Sequence, residues 1–111
     1  MADALCSDEV EALGLWLGDE LVGVIAWRRA RERPEVVRCS LLAVRTGFVR
    51  RGYGRRLKQA LLERARQEGA RAVESIVHYD NDAMIGLNVG LGANVERIPG
   101  DPDYVVCVIA L

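Results

Sequence analysis

The stretch VRRGYGRRL, Val49 to Leu57, constrains the fold of this chain more than any other. It follows the apolar run VVRCSLLAV, Val36–Val44, and it leads into RRLKQALLERARQEG. There Leu57, Leu61 and Ala65 recur at i, i+4 and i+8, with Ala60 and Leu62 beside them. The spacing predicts an amphipathic helix from about Gly52 to Glu68, with Arg, Lys, Gln and Glu filling the other face. Gly69 stands where a left-handed helix C-cap is wanted. A strand apolar enough to lie centrally in a sheet therefore passes into a helix through two glycines and four arginines.

The flanking segments set the topology. ALGLWLGDELVGVIAWRR reads as a hairpin, with apolar runs Leu13–Leu17 and Leu21–Trp27 around Gly18-Asp19-Glu20. Pro34 breaks the pattern in ARERPE, an expected exposed loop. ARAVESIVHY reads as a strand. DNDAMIGLNVGLGA reads as a short helix capped by Asn81 or Asp82, with Met84, Leu87 and Leu91 on one face. Gly86 and Gly90 each cost that helix roughly 1 kcal/mol relative to Ala, so a close contact is expected at each. IPGDPD is a turn, and YVVCVIAL a closing strand. The order β-β-β-α-β-α-β, with room for one more strand, predicts an α/β fold: a mixed, mostly antiparallel central sheet with helices on its faces.

At 111 residues, half of them hydrophobic, the chain is expected to form one domain over 1–111, with 1–12 a short or poorly ordered leading segment. Net charge is −1, yet residues 28–71 hold fourteen of the fifteen basic side chains and four acids. The segments on either side carry six acids each. A cationic block between acidic ones favours a compact anionic ligand over a nucleic-acid-coating surface. The longest apolar run is far short of the roughly 20 residues that span a bilayer, and the acidic N-terminus is unlike a leader peptide. Three cysteines, Cys6, Cys39 and Cys107, without CxxC spacing fit buried thiols in a reducing cytoplasm. Trp16 and Trp27 are expected in the core or an interface.

A helix N-terminus leaves about four N–H groups without intrahelical partners, and its dipole adds roughly half a positive charge. Strand, glycine-rich turn and helix together make a seat for phosphate, which flanking arginines reinforce. Gly52 and Gly54 remove Cβ atoms that would hold a diphosphate away. The Gly-Lys-Ser/Thr of a Walker loop is absent, and Leu57 stands where a dinucleotide fingerprint needs its third glycine.

LLAVRTGFVRRGYGRRLKQALLERARQEGA resembles the acetyl-CoA signature of the GNAT N-acetyltransferase superfamily, and DNDAMIGLNVGLGA resembles that family's later Asn, short helix and Leu-Gly-Phe pattern. The resemblance implies acetyl transfer from acetyl-CoA to an amine of a small molecule or peptide, with no metal. It places the diphosphate seat on the backbone of Val49, Arg50, Arg51, Gly52, Tyr53, Gly54 and Arg55. It places the pantetheine-pairing strand, across a gap between two splayed parallel strands, on Leu42, Ala43 and Val44. Asn81 matches the residue that touches the pantetheine arm. Val44 marks the backbone N–H groups that stabilise the oxyanion. Asn88 stands where many relatives carry a tyrosine as general acid; its amide can hydrogen-bond the sulfur but cannot protonate it.

Val49 replaces the motif's Arg or Gln, and Ala93 its Phe. The family's first strand and two helices do not fit into residues 1–12, and an acceptor side so opened suggests a homodimer. No general base is dictated by the residues. His78, at a strand end, is the first candidate and Asp80 the second. The competing reading from another class is a non-catalytic acyl-CoA-binding or regulatory domain. Nucleic-acid binding is disfavoured, since Phe48 and Tyr53 are the only aromatics in the arginine block.

Overall fold

In the computed structural model, which describes residues 10–111, the expected hairpin forms from β1 (Glu11–Leu17) and β2 (Glu20–Arg29), paired antiparallel. Gly18 turns the chain with φ 60°, a left-handed conformation that glycine adopts without steric cost. The leading segment expected over residues 1–12, with Cys6, lies largely outside the described residues, but Glu11 and Ala12 already belong to β1. Beyond the hairpin come β3 (Val36–Val44), α1 (Tyr53–Gln67), β4 (Ala72–His78), α2 (Asp82–Gly90), β5 (Asn94–Ile98) and β6 (Asp101–Ala110). The six strands make one sheet in the order β1-β2-β3-β4-β6-β5. Among the described residues only β3 and β4 pair in parallel, as a strand–helix–strand crossover requires. The sheet is thus mixed and mostly antiparallel.

One face of the sheet is covered by α1. Ile25, Trp27, Val37, Val73 and Ile109 rise from the strands to meet Leu57, Leu61, Leu62 and Ala65 of the helix. The helix lies close because β2 carries Gly23 beneath it: a Cβ there would come within 2.9 Å of Leu57 Cδ1 and 3.2 Å of Ala43 O. Two side-chain expectations are corrected. Ala60 points to solvent, and Lys58 takes the inward place, only 1% exposed. At about 100° per residue, position 58 falls between positions 61 and 62 on the helical wheel, whereas position 60 falls opposite. Trp27 is buried, but Trp16 stands 57% exposed on the edge strand β1 and belongs to no core.

The closing turn is also tighter than expected. The chain reverses at Pro99 and Gly100, and Asp101 already pairs with Ile98. Pro102, which has no N–H to donate, sits at the irregularity beside this pair.

The parallel ladder stops early. It runs through Val36↔Ala72, Val37↔Val73, Arg38↔Glu74 and Cys39↔Ser75, and no further. From there β3 stays with β2 as far as Val44↔Gly23, while β4 stays with β6 as far as His78↔Tyr104. The two strands fork. An ion cluster holds the last closed rungs, with Glu74 Oε1 accepting from Arg38 Nη2 at 2.7 Å, Arg38 Nε at 2.9 Å and Arg33 Nη2 at 2.8 Å.

Burial pushes the Lys58 amine below the ordinary lysine range. Below its folded pKa both folded and unfolded chains carry the proton, and the full cost of burying the charge falls on the fold. As pH rises toward about 10.4, the unfolded value, that cost is relieved. Lys58→Met is therefore expected to raise the urea midpoint, most at acidic pH, with the difference from the parent narrowing toward pH 10. Denaturation series at several pH values measure this, and a gap that widens with pH contradicts it.

Candidate cofactor cleft at the strand fork

The fork opens onto a cleft of about 500 Å3. Leu42 and Val44 of β3 form one wall, and Ala83, Met84 and Leu87 from α2 form the facing one. The rim is Phe48, Val49, Arg50 and Gly52, followed by Tyr53, Gly54 and Arg55 of the first helical turn. The walls are apolar and the rim is cationic.

The rim is built to receive an anion. Arg50 and Gly52 take left-handed φ values of 63° and 83°, while Arg51 between them does not. Such an alternation of hands turns successive N–H groups toward one side. The first intrahelical bond from this end runs from Arg56 N to Gly52 O, 3.0 Å, leaving the Tyr53, Gly54 and Arg55 amides without intrahelical acceptors. No side chain caps the helix, and its first turn holds no acid. By contrast, α2 satisfies its own start: Asn81 Oδ1 accepts from Met84 N at 3.2 Å, and Asp82 complements the dipole. Among the described residues neither Arg50 nor Arg55 has a carboxylate partner. The lining of this cleft thus offers free amides and unpaired guanidinium groups to a diphosphate, and an apolar trough to an extended arm.

Most of the residues singled out from the sequence converge here, and several do not. Leu42, Val44, Val49, Arg50, Gly52, Tyr53, Gly54, Arg55 and Asn81 line the cleft. Ala43 does not, because alternate side chains of a strand face opposite sides. Arg51 is exposed and leans over the Phe48 ring at 5.4 Å. Gly52, of which the sequence asked only a missing Cβ, takes a left-handed φ as well. Gly54 serves packing instead, since a Cβ there would come within 3.3 Å of Leu87 Cδ1. Gly90 lies 3.2 Å, by the same measure, from Arg55 Nη1, while nothing approaches Gly86. Asn88 is fully buried and lines no part of the cleft; its Nδ2 donates to Met84 O at 2.9 Å. Its Oδ1 is buried without a partner among the described residues.

A second cavity of about 230 Å3 lies in the apex of the fork. Leu42, Asn81 and Met84 line both, so the two adjoin. His78 lines the inner one, with Nδ1 2.6 Å from Asp80 Oδ1. In the tautomer protonated at Nδ1 the ring donates to this carboxylate and keeps Nε2 as a proton acceptor; in the other, Nδ1 accepts from Asp80 N at 3.3 Å. Tyr104 meets the His78 ring edge-on at 5.3 Å, and Tyr79 lies beside it at 4.8 Å. Lys58 and Ser75 close the floor, with Nζ 2.5 Å from Oγ. Sequence reading passed over both. The wheel position of Lys58 was the available signal, whereas Ser75 became visible only through its register with Cys39. Cys107 is buried nearby, and burial raises its thiol pKa. Among the described residues no group of three or more His, Cys, Asp or Glu side chains gathers to hold a metal, and no helix is long and apolar enough to cross a membrane.

Comparison with known proteins agrees with this geometry. An acetyltransferase of Bacillus subtilis, solved in complex with CoA, superposes with a TM-score of 0.83 over 99% of this chain and 82% of its own, at 22% identity. An acetyltransferase of Thermus thermophilus does so at 0.76 over 98% and 70%, with 27% identity. The uncharacterised N-acetyltransferase YvbK of Bacillus subtilis is 33% identical over 91 residues, 82% of this chain; the match spans 57% of YvbK. The model of the acetyltransferase (GNAT) family matches residues 2–91, and with the forked sheet and its cationic rim already described, the chain belongs to that family.

Proposed function

We propose that the protein is an acetyl-CoA-dependent N-acetyltransferase acting on an amine of a small molecule or peptide. The observation that carries this reading is the uncapped, cationic start of α1 opening onto an apolar cleft at the strand fork. The amides from Val49 to Arg55 hold the diphosphate, and the guanidinium groups of Arg50 and Arg55 add charge-assisted bonds. The arm runs along Leu42, Ala43 and Val44 and past Asn81. A backbone N–H of the unpaired stretch of β3 that runs from Ser40 to Val44 stabilises the developing oxyanion, an effect worth roughly 3 kcal/mol where it has been measured.

Acetyl-CoA supplies an activated acetyl group; the chain must orient it and deprotonate the acceptor. His78 fits the second task. Asp80 holds its imidazole, Nε2 is the free acceptor in the tautomer protonated at Nδ1, and the ring borders the inner cavity. The half-exposed Tyr104 and the exposed Tyr79 flank this mouth, with Asp80 beside them. A competing reading, a CoA-binding module without catalysis, draws on one observation: Asn88 is walled off from the cleft and cannot reach a sulfur there.

Two measurements separate these readings. His78→Ala should lower kcat for amine acetylation by roughly 100-fold or more, with the KM for acetyl-CoA little changed. Thiol release with an amine panel reads this out; a parent protein that binds acetyl-CoA but acetylates no amine in the panel supports the binding module. Arg50→Gly separates binding from folding. The left-handed φ costs a non-glycine residue about 1–2 kcal/mol, so the variant should unfold at no lower temperature than the parent. Its affinity for CoA, by titration calorimetry, should fall about tenfold through loss of one charged contact. Unchanged affinity removes Arg50 from the seat.

A further inference from the structure

The chain has fourteen arginines and one lysine, and the lysine is the basic residue turned inward at the fork. Lys58 is 1% exposed, and it lines the inner cavity together with Ser75, to which its Nζ is bonded. An ammonium has three N–H donors, yet Nζ has one hydrogen-bond partner among the described residues, Ser75 Oγ, and no carboxylate within ion-pair distance. Ser75 is itself buried. Burial favours the neutral amine, whose lone pair makes it a nucleophile. Arginine, always charged and with five donors to satisfy, could not take this role.

The position matters as much as the chemistry. The stretch of β3 beyond the closed ladder, Ser40–Val44, spans about 16 Å at about 3.3 Å per residue. An extended chain laid along it from the phosphate rim ends at Ser40, beside Cys39, Ser75 and Lys58. The four-bonded lysine stem needs only a change of rotamer to carry Nζ off Ser75 into the adjoining cavity.

We propose that Lys58 is a site of self-acetylation, taking the acetyl group of a bound acyl thioester. This rests on the acetyl-CoA reading above. Nζ, as the neutral amine, attacks the thioester carbonyl carbon; the new C–N bond forms as the C–S bond breaks. The sulfur leaves as thiolate and takes up the proton that Nζ releases, directly or through Ser75 Oγ. The product is a neutral amide, which suits a buried site with one polar partner better than an ammonium does. Its added acetyl group occupies the inner cavity, so the modified chain is blocked at the end where an acceptor amine must reach.

The test uses the full chain and acetyl-CoA alone. Calorimetry first establishes binding, then intact mass and peptide mapping follow adduct formation over a pH series. The expected result is a gain of one acetyl group on Lys58, stable to hydroxylamine, forming faster as pH rises. Formation should be at least tenfold slower in the same chain unfolded in guanidinium. Lys58→Arg, or Lys58→Met should the arginine not be accommodated, gains nothing while still binding acetyl-CoA. Binding without an adduct overturns the proposal and leaves the acetyl-CoA reading intact. An adduct on Cys39, removed by hydroxylamine, or on the N-terminus overturns it in the same way. Absence of binding overturns both.

Discussion

The fork between β3 and β4 is the constraint from which the rest of the site follows. Each strand has a second neighbour, β2 for one and β6 for the other, and each keeps that neighbour to its end. Once the two outer pairings diverge, the parallel ladder between them ends at Cys39↔Ser75. Backbone N–H and C=O groups of β3 that face the gap then have no strand to answer them, and a buried polar backbone group must find a partner or water. An extended ligand rich in amides can supply the missing ladder, which is how a peptide adds itself to an open sheet edge. The Arg38–Glu74 pair, one rung before the opening, fixes where closure stops. Its worth is in register more than in stability, since a buried ion pair repays little beyond its own desolvation.

Electrostatics then gives the gap a direction. The two helices that flank it start in opposite ways: α2 with a side-chain cap and an acid, α1 with neither. With glycine at the N-cap, the missing side-chain cap costs only about a few tenths of a kcal/mol, and placing arginines beside the positive end of the helix dipole adds repulsion. A fold that carries both penalties at one spot, together with a left-handed Arg50, keeps strain at a site where a bound anion would relieve it. On the other prong of the fork, at the C-terminal end of β4, His78 and Asp80 border the inner cavity beside Tyr79 and Tyr104. Anion-receiving and proton-accepting groups are thereby held on different prongs of the fork.

Much of this was legible in the residues. Leu57, Leu61 and Ala65 located α1 to within a residue at each end, because their spacing is a property of the helix alone. Gly18 and Gly69 announced left-handed turns for the same local reason. What escaped was tertiary. The burial of Lys58 and exposure of Ala60 depend on which side of α1 meets the sheet, and residue polarity argued for the reverse. The exposure of Trp16 follows from β1 being an edge strand, which no local pattern encodes. The roles of Gly54 and Gly90 turned on how closely α1 and α2 approach, visible only once both are packed. Asn88 shows the limit of transfer by motif: the residue stands at the matching place in the pattern, yet its amide is spent on Met84 O and sealed inside.

These two layers meet in α1. Its first turn presents bare amides to the rim, and four residues after Gly54, about 6 Å further along the axis, the same helix delivers Lys58 to the apex. A tilt or shift of the helix moves both groups together, so the distance between anion seat and buried amine is set by helix geometry and is insensitive to loop motion. Gly23 strengthens that coupling, because the contact it permits with Leu57 presses the helix onto β2 between the two groups. A side chain at position 23 would have to displace Leu57 Cδ1 and press on Ala43 O, disturbing the helix–sheet contact between the two groups, whereas a change confined to the rim would leave that contact in place. The glycine under the helix, which does not itself line the cleft but pairs with Val44 in its wall, is therefore as much a part of the site's architecture as those in the loop.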